Sequence, residues 1–383
     1  MYQAAWSQRL WQDPSRRNWA GDAARPLACE IWYPTHDTNE EIYGFGGADA
    51  ASASFVGSKV VKDGAIVEGR WPCVLLSHGF GGSALQLGWL GSMLARQGYI
   101  AIAVNHHGNC ATEAYTLEGC LFWWQRPLDL SRVLDFALQE FAIDAARIDA
   151  IGFSIGAYSA LALLGAKFDL ALFDQFCRSP LAKQFSVPEF PDLIARRKAW
   201  RHDPNWAQQF ELAERDFSDV RIRSAVLFAP AMVPFLQPSS VRAIEKPVQI
   251  FCGTADLITP ASIGAQLLHA QLPNSELHLL RDAGHYVWLE LASELGRKTL
   301  PVFTVDHSNI NRAAIHAHCG ERVILHLQDL TLQAKREQAR IHHLPPSKRH
   351  LWQSQVLHHI ASTGLVYQLL SQGLRLSALF NRA

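Results

Sequence analysis

Residues 148–161 read IDAIGFSIGAYSAL, a glycine-flanked serine between two apolar runs of different character. The run ending at Phe153 has the continuous apolar character of a strand that is covered on both faces. The run after Gly156 is rich in alanine and leucine, which favour a helix. Gly152, Ser154 and Gly156 form a G-x-S-x-G pattern, typical of a tight turn that presents a nucleophilic serine at the carboxyl edge of a sheet. A glycine-rich turn without chemistry is the alternative interpretation.

Strand-like and helix-like segments alternate around this turn from residue 71 onward. Helical spacing covers residues 85–97 and the segment after Asp129, which we interpret as a helix N-cap. Residues 26–33 alternate in polarity and predict an antiparallel edge strand. This order predicts an α/β fold with an open, doubly wound and mostly parallel sheet. Apolar runs predict its strands at 73–77, 99–104, 148–153, 223–228 and 248–252.

Partners for a nucleophilic serine follow it in the chain. A serine hydroxyl needs a base to remove its proton, and the base needs a carboxylate to orient it. Asp256 comes just after the predicted strand at 248–252, and His285 comes after a further apolar run. Together with Ser154 they predict a triad in the chain order serine, acid, histidine. Asp282 is the main rival acid, but it stands only three residues before His285.

A glycine-rich loop follows the predicted strand at 73–77 and reads HGFGG, from His78 to Gly82. We expect the backbone N–H of Phe80 and that of Ile155 to stabilise the negative charge that develops on a substrate carbonyl oxygen. His78 is interpreted as a residue that shapes this loop through hydrogen bonds and not as a base.

Aromatic and charged side chains near these segments have functional and structural interpretations. Trp89, Trp123 and Trp124 could bind substrate by lining an acyl pocket, or could simply pack in the core. Arg126 and Asp129 are interpreted as a loop clamp and a helix cap. The paired histidines of the chain lack the spacing of metal ligands, and no HExxH motif occurs. We therefore expect no metal and no cofactor.

Composition excludes several classes of protein. The 383 residues contain 35 basic and 35 acidic side chains, which argues against a dedicated nucleic-acid binder. No run of about 18 uncharged apolar residues predicts a transmembrane segment, and the first twenty residues lack a signal-peptide core. Seven scattered cysteines without CxxC spacing are typical of reduced thiols. We therefore expect a cytoplasmic protein.

The charge is divided unevenly along the chain. Residues 330–383 contain seven basic side chains and one acidic side chain, so residues 1–329 carry a net charge of −6. We predict a catalytic domain over 1–329, with a lid or cap insertion at about 168–218, and a basic helical extension over 330–383. The extension has apolar residues at near-helical spacing, which suit packing on the body, on a second subunit or, as a further alternative, on a membrane surface.

Further blocks of the sequence carry a family resemblance. They include LLSHGFGGS at 75–83, GYIAIAVNHHGN at 98–109, WQRPLDLSRVLDF at 124–136, IDAIGFSIGAYSAL at 148–161, PVQIFCGTADLITP at 247–260, RDAGHYVWL at 281–289 and DHSNINRAAIH at 306–316. In these blocks the chain resembles the α/β-hydrolase group that contains platelet-activating-factor acetylhydrolases and the bacterial predicted dienelactone hydrolases. The resemblance covers roughly residues 11–328 and implies a triad of Ser154, Asp256 and His285, a carboxylic-ester substrate and no cofactor. True dienelactone hydrolases differ in using a cysteine where Ser154 stands.

The sequence therefore predicts a serine esterase that acts on small-molecule esters with short or medium acyl chains, with lactones also open. The same triad could transfer the acyl group to an alcohol other than water. A third hypothesis, a ligand-binding protein without catalysis, would require a broken triad, whereas all three residues are present.

Overall fold

The computed structural model describes residues 2–47, 52–180, 182 and 190–342, with side chains to residue 336. Its strands are β1 (Gln3–Arg17), β2 (Ala24–Thr35), β3 (Glu41–Phe45), β4 (Phe55–Lys62), β5 (Trp71–Ser77), β6 (Ile100–Asn105), β7 (Ile143–Phe153), β8 (Ile222–Phe228), β9 (Val248–Gly253), β10 (Ser275–Leu280) and β11 (Leu291–Ala292). Its α-helices are α1 (Gly88–Arg96), α2 (Leu117–Leu121), α3 (Arg126–Glu140), α4 (Ile155–Ala162), α5 (Leu170–Cys177), α6 (Leu193–Trp200), α7 (Ala207–Leu212), α8 (Pro238–Arg242), α9 (Ala265–Gln271), α10 (Glu294–Thr299), α11 (Pro301–Thr304) and α12 (Arg312–His342).

One mixed sheet organises the chain, in the strand order β10-β9-β8-β7-β5-β6-β2-β1-β4-β11, with β3 paired to β4. The strands from β5 to β10 run parallel to their neighbours within this group. The hairpin of β1 and β2 joins this group antiparallel through β6. The predicted fold class, a mostly parallel doubly wound sheet with helices, is confirmed.

Both faces of the central strands are buried, as their continuous apolar sequences predict. Cys73 and Leu75 of β5 pack on one face, in the cluster that includes the apolar residues of α3 and α4. Val74 and Leu76 alternate with them and are also fully buried, on the opposite face. Because helices cover both faces, the open edge for chemistry is the one where the parallel strands end.

Two details of the predicted elements are wrong. The strand at residues 26–33 is antiparallel but internal, because β2 pairs with β1 on one side and with β6 on the other. The helix predicted to begin after Asp129 begins at Arg126, with Pro127 in its first turn. Asp129 therefore lies inside the first turn of α3 and is not its N-cap. Its carboxylate instead forms ion pairs with arginines from β1 and β2.

The described residues divide into two compact units, one up to Ile324 and one from Leu325 onward. The division falls within α12, and the predicted boundary at 329/330 lies in the same helix. The predicted lid segment, about 168–218, contains α5, α6 and α7, and its function as a lid stays a prediction. The predicted apolar spacing between residues 351 and 380 lies outside the described residues. In the part of the chain that is described, no helix combines the length and apolar character needed to cross a lipid bilayer.

Candidate active site

Ser154 occupies the turn between β7 and α4 in a strained backbone conformation, with φ 56° and ψ −117°. A non-glycine residue there costs about 1–3 kcal/mol, so the surrounding structure must hold it in place. The backbone N–H of Ser154 donates to the carbonyl of Phe228 at 2.9 Å, and its carbonyl accepts from Ala157 and Ala231 at 3.0 and 3.1 Å. These bonds to α4 and to the end of β8 maintain the turn.

The two glycines that flank Ser154 are required by close approaches of the backbone. A Cβ at Gly152 would lie 2.0 Å from the carbonyl oxygen of Gly156. A Cβ at Gly156 would lie 2.0 Å from the carbonyl oxygen of Ser77, at the end of β5. No side chain fits at such distances, which explains in physical terms why the pattern needs glycine at both positions.

Ser154, His285 and Asp256 lie in one hydrogen-bonded chain. The Oγ of Ser154 is 3.1 Å from Nε2 of His285, and Nδ1 of His285 is 2.8 Å from Oδ2 of Asp256. Each residue follows the carboxyl end of a different parallel strand, namely β7, β9 or β10. The three residues are only 3–7% exposed. The structure thus brings together the three residues that the sequence predicted as a triad.

Asp256 is held as a carboxylate by donors on both oxygens. Its Oδ1 accepts the backbone N–H groups of Ile258 and Thr259 at 2.9 and 2.8 Å. Its Oδ2 accepts the hydroxyl of Thr259 at 2.8 Å as well as the imidazole of His285. Burial alone would raise the pKa of Asp256, but the bond and charge of His285 and the bonds from Thr259 lower it overall. Asp282 instead lies in the turn after β10, at φ 60°.

The loop after β5 passes directly beside Ser154. A Cβ at Gly79 would lie 3.5 Å from the Cβ of Ser154. The carbonyl of Gly79 accepts from Nδ1 of His78 at 2.6 Å and from the N–H of Gly82 at 3.2 Å. In a trans peptide the N–H points away from the preceding carbonyl, so these bonds fix the direction of the Phe80 N–H. Burial first, and then the charge of Arg126, hold the pKa of His78 well below its usual value.

Arg126 connects this loop to α3, as the interpretation of a loop clamp requires. Its Nη1 donates to the carbonyl of His78 at 2.7 Å, and its Nη2 donates to Oδ1 of Asn109 at 2.7 Å. His106 donates its backbone N–H to Nε2 of His78 at 3.2 Å, and its ring contacts Asp129. Sequence reasoning had no signal for the role of His106, because its partners are distant in the chain.

The three predicted substrate-binding tryptophans are all buried, at two different places. Trp89 stacks on His316, with ring centroids 4.2 Å apart, and its Nε1 donates to the carbonyl of Trp288 at 2.8 Å. Trp123 meets aromatic rings of the 168–218 segment, with Phe173 at 5.3 Å. Trp124 meets Phe210 at 6.0 Å, and its Nε1 donates to the carbonyl of Gln209 at 2.8 Å. These contacts explain their burial by packing, and a role in substrate binding stays a prediction.

Two further side chains near the triad were missed by sequence reasoning. Thr259 contributes a hydroxyl to Asp256, and His316 binds the carbonyl of Val287, just after His285. The TADLITP block around Asp256 is the sequence signal that could have found Thr259, whereas no local signal singles out His316. Within the described residues, no group of three or more histidine, cysteine, aspartate or glutamate side chains could hold a metal ion.

A serine in a strained turn after one strand, with an acid and a histidine after later strands, defines the α/β-hydrolase class. Residues 74–295 match the Alpha/beta hydrolase family, and the chain belongs to that family. The structure of a ferulic acid esterase from Streptomyces cinnamoneus is similar to this chain, with a TM-score of 0.56 and 19% sequence identity. That similarity covers 84% of this chain and 88% of the esterase, and it shows a shared fold. No curated protein matches the chain in sequence.

Proposed function

We propose that this protein is a serine esterase that hydrolyses carboxylic esters of small molecules through an acyl-enzyme on Ser154. The observation that carries the proposal is the hydrogen-bonded chain from Ser154 through His285 to Asp256, at 3.1 and 2.8 Å. The name of the similar structure, a ferulic acid esterase, supports the same reaction class.

The reaction begins when Ser154 Oγ attacks the ester carbonyl carbon and passes its proton to Nε2 of His285. Asp256 keeps the proton on Nδ1, so that Nε2 faces the serine as a base, and it stabilises the imidazolium that forms. The imidazolium then protonates the leaving alcohol, and the acyl group stays on Ser154. A water molecule, activated by the same Nε2, releases the acid and restores the enzyme.

The backbone N–H groups of Phe80 and Ile155 are proposed to bind the oxyanion of the tetrahedral intermediate. Ile155 is the first residue of α4, where an N–H has no acceptor within the helix. His78 and Arg126 hold the carbonyls of Gly79 and His78, so the loop does not have to reorganise as charge develops. One such donor is worth about 2.7–4 kcal/mol of transition-state stabilisation.

For the substrate we propose short or medium acyl esters, with lactones also open, as in the group of platelet-activating-factor acetylhydrolases and predicted dienelactone hydrolases. The resemblance of the sequence blocks to that group supports this choice, and the serine at position 154 favours ester cleavage by the triad mechanism. We keep Trp89, Trp123 and Trp124 as candidates for the boundary of the acyl pocket.

Hydrolysis of p-nitrophenyl esters of graded chain length, from acetate upward, tests the proposal. We expect wild-type activity that Ser154→Ala abolishes, together with covalent labelling of Ser154 by a fluorophosphonate. Product analysis with competing alcohols would reveal acyl transfer in place of hydrolysis. A folded wild-type protein that neither hydrolyses any of these esters nor reacts with the fluorophosphonate would refute the proposal.

A further inference from the structure

Three buried side chains donate hydrogen bonds to backbone carbonyls that closely follow His285. His316 Nε2 lies 2.8 Å from the carbonyl oxygen of Val287. Trp89 Nε1 lies 2.8 Å from that of Trp288, and Arg312 Nη1 lies 3.2 Å from that of Glu290. The donors come from α1 and from the start of α12, two elements far apart in the chain.

The turn that carries His285 needs such donors. His285–Trp288 is a single 3₁₀ turn with no side-chain cap at its N-terminus. The carbonyls at the end of a helical turn have no N–H donor within the turn. A buried carbonyl that lacks a donor destabilises the folded protein. On the N-terminal side the turn is preceded by Gly284, which has no side chain, and a Cβ there would meet nothing within 4 Å. External bonds on the C-terminal side therefore help to fix the turn.

The donors are themselves held rigidly. Arg312 makes a two-pronged ion pair with Asp306, with Nε 2.8 Å from Oδ2 and Nη2 3.0 Å from Oδ1. The ring of His316 stacks on the indole of Trp89 with an interplanar angle of 9°. Burial lowers the pKa of His316 to about 3, so its imidazole is neutral near pH 7 and one ring N–H is available to donate.

The helix that brings two of the donors contacts α1 near Gly320. A Cβ at Gly320 of α12 would lie 2.5 Å from the terminal methyl carbon of Met93 and 3.4 Å from the indole of Trp89. Gly320 thus lies one helical turn beyond His316, against the same indole on which the His316 ring stacks. These two contacts place the start of α12 beside the donor Trp89.

We propose that Trp89, Arg312 and His316 are positioning residues, which hold the turn bearing His285 so that its imidazole spans Ser154 and Asp256. The inference rests on the proposed function, since it gives these residues a role in that same site. Small displacements of a catalytic base are expensive: a shift of about 1 Å can slow a reaction about 100-fold. None of the three residues needs to contact the substrate in this role.

The experiment compares His316→Phe with His316→Gln in the full chain. Phenylalanine keeps a ring on Trp89 but loses the Nε2 donor, whereas glutamine restores an N–H donor at a similar reach. We expect His316→Phe to lower kcat/KM and the rate of fluorophosphonate labelling by about 10- to 100-fold, with little change in KM. The factor should be the same for acetyl and octanoyl p-nitrophenyl esters. His316→Gln should recover most of the lost rate.

His318→Phe is the matched control, because His318 is an exposed histidine on the same helix, and it should behave as the wild type. A folded His316→Phe with wild-type rates, or a change confined to KM, would overturn the inference.

If circular dichroism shows that His316→Phe does not fold, Trp89→Phe decides the question, since it removes the donor to Trp288 and keeps a ring. Wild-type rates in that variant would overturn the inference, and rates lowered equally on both esters would support it. A wild-type protein without esterase activity would overturn the proposed function. An active wild type whose His316 and Trp89 variants keep wild-type rates would overturn this inference alone.

Discussion

His106 donates from Nδ1 to Oδ2 of Asp129 at 3.0 Å, and its Nε2 lies 2.9 Å from the hydroxyl of Ser77. The chain therefore contains a second serine–histidine–aspartate relay, with all three side chains at most 1% exposed. Two differences separate it from the relay at Ser154. Ser77 is the last residue of a regular strand, and its hydroxyl is closed off from solvent. We infer that this second relay supports the loop that begins at His78.

The two relays predict a selective labelling pattern. A fluorophosphonate should react at Ser154 and not at Ser77, because only Ser154 stands in a strained turn at the reactive edge of the sheet. Peptide mapping by mass spectrometry of the labelled wild type would locate the adduct. Ser154→Ala should remove all labelling, even though Ser77, His106 and Asp129 remain. An adduct on Ser77 would contradict this assignment.

Asp256 and Asp282 can be separated as candidate acids by a matched pair of variants. Asp256→Asn should lower kcat by about 10⁴-fold with the fold retained, because an amide favours the wrong imidazole tautomer. Asp282→Asn should leave kcat nearly unchanged, since asparagine tolerates the positive φ of that position. Steady-state kinetics on a p-nitrophenyl ester measure both. Equal losses in the two variants would show that Asp256 has no special role.

Replacing His78, in the glycine-rich loop from His78 to Gly82, should lower kcat more than it changes KM. His78→Phe removes the shortest bond to the Gly79 carbonyl and leaves those from Gly82 and Arg126 at 3.2 and 3.4 Å, so the direction of the Phe80 N–H is held less firmly. A loss in kcat of up to about 10²- to 10³-fold is expected, the cost of losing one oxyanion donor entirely. The measurement is made well below the unfolding temperature of the variant, which thermal denaturation determines. Full kcat in a folded variant would show that the loop is held without the imidazole.

Two glycines of the site should differ sharply in their tolerance of alanine. Gly156→Ala places a Cβ 2.0 Å from the carbonyl oxygen of Ser77, so the turn must shift and stability must fall. Gly284→Ala, beside His285, should retain its stability, because Gly284 has φ −92° and open space around its Cβ position. Thermal unfolding of both variants tests this. A large destabilisation by Gly284→Ala would show that glycine is needed there for a reason that its geometry does not provide.

Glu290 should make stability depend on pH. Burial raises its pKa to about 8, an effect larger than the opposing effect of the backbone N–H groups that bind the carboxyl. Between the ordinary glutamate pKa and about 8, the native protein holds a proton that the unfolded chain has released. The contribution of Glu290 to stability is therefore most favourable at low pH and is progressively lost as the pH rises towards 8.

The test is the melting temperature of Glu290→Gln relative to wild type, measured across this range by calorimetry. The difference should favour the variant increasingly as the pH rises from about 5 to about 9, because glutamine carries no proton to lose. Glu41→Gln, at an exposed glutamate, serves as the control and should show little dependence on pH. A difference that stays constant with pH would mean that Glu290 is ionised throughout.

The local features of the fold could be predicted, because apolar runs and the glycine pattern are local signals. Strands β5 to β9 follow from continuous apolar sequence, and the turn at Ser154 follows from its two glycines. The internal place of β2 could not be predicted, since the sequence of β1 reads as mostly polar and the other partner of β2, β6, lies far along the chain. The same holds for Asp129, which resembles a cap locally but binds Arg16 and Arg25 from the first two strands.

For the candidate site, the order of Ser154, Asp256 and His285 in the chain sufficed to choose them. The side chains that hold these three residues in position could not be predicted from the sequence. His316 lies on an amphipathic helix whose pattern gives no reason to select one buried histidine, and its partner is a backbone carbonyl, which leaves no trace in residue identity. Side chains that bind backbone can be identified only once the two segments are seen together.

The placement of the donors to the His285 turn has a consequence for the order in which the protein is made. Translation completes Ser154, Asp256 and His285 before Arg312 and His316 exist. A nascent chain that has emerged only as far as the end of β11 therefore possesses every reacting group and lacks two of the bonds that align them. Under the positioning role proposed above, such a chain is chemically complete but slow, and full reactivity arrives with the first turns of α12.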